Sequence, residues 1–102
     1  MLNADVRYNS TIEASVKHAG PQALSTLEPV LRALRVHEAL TERTPGSFYL
    51  KSKAFVHFHE DAAGLFADVK EDLLTFKRHR VSTRAEQREF LALVSRCLSG
   101  AT

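Results

Sequence analysis

From Phe48 onward the apolar residues of this chain recur at every second position, and after Arg80 they return to helical spacing. Six of the eight aromatic residues, Phe48, Tyr49, Phe55, Phe58, Phe66 and Phe76, lie in that middle stretch. Aromatic and β-branched side chains suit the pleated surface of a sheet, and alternation with period 2 gives each strand one apolar and one polar face. The pattern predicts strands over about 47–51, 54–60, 64–70 and 74–81. Only "SK", "EDAAG" and "EDLL" separate them, and links this short join antiparallel neighbours into a meander.

Helical patterns flank the sheet. "ALSTLEPVLRALRVHEAL" places Leu27, Val30, Leu31 and Leu34 on one stripe after the break at Gly20-Pro21. Pro29 requires either that the main helix begin near Glu28 or that it kink there, because proline suits the first turn and costs about 3 kcal/mol in a helix interior. "TERTPGS" at 41–47 is expected to close the helix and turn the chain. At the other end Thr83-x-x-Glu86 forms a capping box before Phe90, Leu91, Val94, Cys97 and Leu98, and Gly100 marks the stop. Residues 1–20 carry one weak helical signal, Ser10 and Glu13 with Ile12 and Val16, and are expected to form an arm or a short helix.

The order α–ββββ–α predicts an α+β fold, a two-layer sandwich in which a four-stranded antiparallel meander carries helices on one face, with residues 21–102 as a single domain. The length of 102 residues suffices for one packed core, and 44% hydrophobic with 25% charged residues is an ordinary globular composition. The lone Cys97 cannot form an internal disulfide, the start "MLNADVRYNS" lacks the basic and apolar regions of a secretory signal, and no apolar run approaches the roughly 18 residues of a membrane span. A cytoplasmic protein with no membrane partner is the expectation, and the sequon Asn9-Ser10-Thr11 then carries no glycosylation message.

Alternation assigns Phe48, Leu50, Ala54, Val56, Phe58, Leu65, Ala67 and Val69 to the face beneath the helices. The opposite face would present Tyr49, Lys51, Phe55, His57, His59, Phe66, Asp68 and Lys70. Three large aromatics, two imidazoles and a carboxylate are unusual on a solvated face, and such a patch marks a contact surface. Tyr49, Phe55, His57, His59, Phe66 and Asp68 are therefore the candidate interface or ligand-binding residues, with a homodimer as the simplest partner and a small ligand as the other. The competing reading is that the N-terminal arm folds back over this face.

His57 and His59 point the same way about 6.6 Å apart along an ideal strand and can converge on one ion. Two ligands do not make a site. Asp68 would join them only if the hairpin pairs His57 with Asp68, a register the pattern alone does not fix. No metal site and no cofactor is assigned on this basis, and a metal or acid/base site at His57, His59 and Asp68 stays as the least favoured alternative. Nor is any catalytic residue: Ser47 and Ser52 are not positioned by a motif, no phosphate-binding glycine loop or C-x-x-C occurs, and Cys97 belongs to an apolar stripe. The balance leans against an enzyme.

Net charge is only +2, but the basic residues gather in the last quarter. Lys77, Arg78, Arg80, Arg84 and Arg88 are the candidates for an alternative function, binding nucleic acid. The plainer account of Lys77, Arg78 and Arg80 is a charged edge strand that resists aggregation, so nucleic acid is the less favoured partner.

The stretch "TPGSFYLKSKAFVHFHEDAAGLFADVK", followed by a basic strand and "STRAEQREFLALV", resembles small bacterial proteins of uncharacterised function over about residues 22–98. More distantly, "FYLKSKAF…GLFADVK" is similar to the central hairpins of the MmcQ/YjbR-like superfamily. That resemblance implies a small α+β fold around an antiparallel sheet and a nucleic-acid-binding role suggested for the fold, with no catalytic motif to carry over. Residues 1–20 fall outside it and resemble an added leader. The expectation from the sequence is thus a non-enzymatic binding or assembly module.

Overall fold

The computed structural model describes residues 17–72 and 74–100. In chain order these form β1 (Lys17–His18), α1 (Pro21–Thr26), α2 (Glu28–Arg35), β2 (Leu40–Thr44), β3 (Ser47–Leu50), β4 (Lys53–Asp61), β5 (Gly64–Val69), β6 (Lys77–Arg80) and α3 (Arg84–Gly100). Strands β2 to β6 make an antiparallel meander in chain order, and β1 pairs with β4 off that path. The fold is α+β. The helical signal at Ser10 and Glu13 lies outside the described residues.

The sheet has one meander strand more than the alternation predicts. Leu40–Thr44, expected to end a helix and turn, pairs with β3 instead. The helix ends early because the chain tightens after Arg35, where Val36 and His37 donate to the carbonyls of Ala33 and Leu34. Pro45 and Gly46, with Gly46 at φ +82°, then supply the residue types of a type II turn that sends β2 back into β3. A side-chain staple holds the corner: Glu42 accepts from Arg35 on α2 at 2.6 Å and from the Gly46 backbone at 2.9 Å.

Pro29 acts as both a break and a start. Leu27 leaves the helical path between α1 and α2, and Pro29 occupies the first turn of α2, where its missing N–H costs nothing. At α3 the capping box forms as its spacing predicts. Thr83 Oγ1 accepts from the Glu86 N–H at 3.1 Å, and Glu86 Oε1 accepts from the backbone N–H groups of Thr83 at 3.0 Å and Ser82 at 2.9 Å.

The core fills the space between helices and sheet. Val30, Leu31 and Leu34 of α2 and Phe90 and Val94 of α3 pack with Phe48, Val56, Phe58, Ala67 and Val69 from the strands. Phe58 meets Phe90 edge-on, with ring centroids 6.1 Å apart. Each such buried large side chain contributes roughly 1.5–3 kcal/mol relative to exposure.

The predicted parity of β4 holds on one side of an irregularity and reverses on the other. Val56 opposes Phe48, but Ala54 opposes Tyr49, so Phe55 is an extra residue on β4 with no counterpart on β3. A bulge of this kind lets two consecutive side chains leave the normal alternation. Phe55 and Val56 are accordingly both core residues, only 3% and 1% exposed. The expected placement of Phe55 on the open face is therefore corrected, as is that of Ala54 under the helices. Beyond the bulge Val56 and Phe58 point to the core and His57 and His59 to the open face, as alternation predicts.

β6 is shorter than its predicted span because the Asp72 carboxylate accepts from the N–H groups of Leu74 and Thr75, both at 2.9 Å. Those donors are then lost to the sheet ladder, and pairing begins only at Lys77. No helix among the described residues is long and apolar enough to cross a membrane.

Candidate functional site on the open sheet face

The β4–β5 hairpin sets the geometry. Asp61 opposes Gly64 across the two-residue loop Ala62-Ala63, and from there the register runs without a slip through His59 with Phe66 and His57 with Asp68. On the other side of β5, Phe66 opposes Arg80 and Asp68 opposes Arg78. Paired residues share a face, so His57, His59, Phe66, Asp68, Arg78 and Arg80 occupy the side of the sheet turned away from the helices. Tyr49 lies on the same side, opposite Ala54.

At the centre, three groups close on one another. His57 Nδ1 and His59 Nε2 are 2.8 Å apart, and His59 Nε2 is 3.0 Å from Asp68 Oδ2. One nitrogen of each imidazole and one carboxylate oxygen thus lie within 4.8 Å of one another. Arg78 grips the far edge of the carboxylate in a bidentate pair, Nε to Oδ1 at 2.8 Å and Nη2 to Oδ2 at 3.0 Å. Such a fork fixes the plane of the carboxylate as well as its position.

The electrostatics follow from this crowding. Burial pushes the His57 pKa below its ordinary value, and the neighbouring imidazole of His59 reinforces the shift against the opposing pull of Asp68. For Asp68 burial pushes upward, but the hydrogen bonds and charge of Arg78 outweigh it and the carboxyl sits below its ordinary range. A neutral imidazole and an ionised carboxylate are the forms that offer lone pairs.

Two rings that the alternation does not assign to this face complete the cluster. His18, on the two-residue strand β1, opposes His59, and its ring lies 4.9 Å from that of His59 and 5.9 Å from that of His57. Phe76 packs on His57 at 4.7 Å from the loop before β6 and is 39% exposed. A strand of two residues is too short to show a period. The loop position of Phe76 has no parity to read.

Basic side chains sit over the aromatic rings around this centre. Arg43 lies 4.2 Å from the Tyr49 ring centroid, Lys70 4.9 Å from that of Phe76, and Arg78 and Arg80 each 5.6 Å from that of Phe66. The five sequence candidates for nucleic acid do not form one surface. Arg78 and Arg80 join the open face, Lys77 opposes the core residue Val69, and Arg84 and Arg88 lie on α3 in the helical layer. Lys77, Arg78 and Arg80 are on an edge strand, as the protective reading of their charge requires.

Elsewhere, a cleft of about 290 Å³ is lined by Leu50, Lys51, Lys53, Ala54, Phe55, Lys70 and Gly100. Among the described residues its lining offers no side-chain carboxylate or imidazole, and so no acid–base pair. Burial raises the Cys97 thiol pKa, which keeps it a poor nucleophile. Comparison with known proteins returned no match: no family model fits the chain, and no curated protein or solved structure is significantly similar. The functional reading rests on geometry.

Proposed function

We infer that this protein is a non-enzymatic binding module whose open sheet face holds a ligand. One observation carries the reading: three imidazoles and the Asp68 carboxylate converge on the face that none of the described helices covers, with Tyr49, Phe66 and Phe76 around them. A second copy of the chain is the other occupant that the aromatic character of this face suits. A symmetric contact would, however, double the number of cations gathered in one interface, those over Tyr49, Phe66 and Phe76 of both copies, and crowding like charges in an interface is costly. A ligand that offers negative charge avoids that cost, and one that takes lone pairs from the imidazoles and Asp68 offsets it.

The same cation–ring array supports nucleic acid as a second reading. Stacked rings flanked by arginine accept single-stranded bases and follow their phosphates. Native mass spectrometry and sedimentation velocity on the untagged protein, with and without a short oligo(dT) at low salt, test these readings together. A retained ligand mass, a dimer, or an oligonucleotide complex that weakens with salt and in Phe66→Asp supports the binding face. A monomer with no added mass and no affinity for oligo(dT) would overturn it unless the metal titration below succeeds.

A further inference from the structure

We propose that His57, His59 and Asp68 are the ligands of a divalent transition-metal site of the zinc(II) or iron(II) kind, with His18 as a fourth ligand. The proposal rests on the binding-face reading and names its ligand class. Two imidazole nitrogens with one carboxylate oxygen are a donor set that suits such ions, whereas magnesium and calcium prefer oxygen alone.

The separations fit. Ligands at about 2.0–2.1 Å from a tetrahedral ion stand about 3.3 Å from each other. The observed 2.8 Å between His57 Nδ1 and His59 Nε2, and 3.0 Å between His59 Nε2 and Asp68 Oδ2, need a few tenths of an ångström of opening, while the third pair, His57 with Asp68, lies within 4.8 Å and settles to the same spacing by side-chain rotation around the ion. The strands fix the backbone of all three residues: His57 and His59 are alternate residues of β4, and Asp68 is directly across from His57 on β5.

Proton placement points the same way. His59 Nε2 has one in-plane position, occupied either by a hydrogen or by a lone pair, yet it faces both His57 Nδ1 and Asp68 Oδ2. As a donor it must divide one hydrogen between two acceptors. As an acceptor from His57 it turns a lone pair toward the carboxylate. A cation at the meeting point satisfies all three atoms at once. Arg78 holds both carboxylate oxygens, Oδ1 at 2.8 Å and Oδ2 at 3.0 Å, so an ion on Oδ2 shares that oxygen with Nη2 while the bond to Oδ1 keeps the carboxylate oriented, the part an outer hydrogen-bond partner plays at metal sites. Its positive charge weakens binding and favours an ion that forms strong bonds to nitrogen.

His18 supplies what a three-ligand site lacks. Its ring stands beside both imidazoles on the open side, and β1 anchors it through the pairing of His18 with His59 and the Ala19 N–H to the Phe58 carbonyl at 3.1 Å. His18 stands outside the three-atom cluster, and its ring must rotate toward the centre to serve as the fourth ligand. The occupant is held structurally, since four protein ligands leave no open position for substrate.

Isothermal titration of zinc chloride into the untagged, chelator-stripped full chain tests the site, with the thermal midpoint as a second readout because a ligand of the native state raises it. One zinc per chain is expected. Binding should fall by about tenfold or more in His57→Gln and His59→Gln and stay unchanged in His37→Gln, which lies outside the cluster. Circular dichroism checks that each variant folds, and His57→Gln decides the matter if His59→Gln does not fold. His18→Ala should keep the stoichiometry and weaken affinity about tenfold. An unchanged affinity there removes His18 from the ligand set. No heat and no thermal shift in the native chain, or full affinity in His57→Gln, overturns the metal site. If zinc is refused while oligo(dT) or a second copy still binds this face, only the metal inference fails; refusal of all three removes the binding-face reading as well.

Discussion

At the scale of single residues, two rings given the same place by alternation have opposite fates. Phe55 is sealed in the core, whereas Phe66, which shares its role in the alternation pattern, stays partly exposed on the open face under Arg78 and Arg80. Truncation should separate them. Phe55→Ala should destabilise the fold by about 3–5 kcal/mol in chemical denaturation, the usual cost of emptying a buried aromatic site, while Phe66→Ala should cost about 1 kcal/mol or less. Similar losses at the two positions would contradict the bulge. This is also where the sequence is least legible. Alternation is a rule for regular strands, and one inserted residue reverses the rule before it without leaving any mark in composition. His57, His59 and Asp68 were legible as neighbours on one face, but their convergence depended on a register that only the intact run of pairs from Asp61–Gly64 establishes.

At the scale of elements, turns and corners carry much of the specification. The β3–β4 hairpin closes through Lys51 and Ser52, both left-handed at φ +53° and +70°, a pair of angles that normally calls for Asn-Gly. Each left-handed non-glycine residue carries strain of about 1–2 kcal/mol. Replacing the pair by Asn-Gly should therefore raise stability by about 1 kcal/mol or more, read as a higher denaturant midpoint with the same slope. The corner between α2 and β2 answers to pH. Hydrogen bonding to Arg35 holds the Glu42 carboxyl below its ordinary value of 4.5, opposed by partial burial and aided by the Gly46 N–H. Its contribution is fully present above that ordinary value and is lost as pH falls through the lower folded one. The thermal midpoint of Glu42→Gln should thus lie below that of the native chain at neutral pH and converge on it in acid. The same corner shows why β2 escaped the periodicity. "RVHEAL" continues a helical pattern in isolation, but pairing with β3 and the Glu42 staple claim its last residue for the sheet. The α3 start needed no such context, because its cap is wholly local: Thr83→Ala should cost about 1 kcal/mol of stability.

At the scale of the molecule, the helices and the sheet divide the labour. One sheet face builds the core with the helices, and the other carries rings, imidazoles and cations that add little to folding. Both outer meander strands, β2 and β6, carry charge, with Glu42 and Arg43 on one and Lys77, Arg78 and Arg80 on the other. Neutralising the β6 edge by Arg78→Gln and Arg80→Gln together should increase aggregation on concentration, measured by light scattering, while leaving the helical signal in circular dichroism unchanged. The layer order was readable from where periods 3.6 and 2 alternate along the chain. The use of the outer face was less so, because the ring of His18 comes from a segment with no periodicity of its own.

That short strand has a further consequence. β1 is joined to β4 through only two residue pairs, Lys17 with Glu60 and His18 with His59, yet it brings in a ring from about forty positions upstream. Replacing His18 by alanine would leave the described core of α2, α3 and the meander in place and still remove one wall of the imidazole cluster. What the surface recognises is thus tuned by a segment that is separate from the scaffold displaying it.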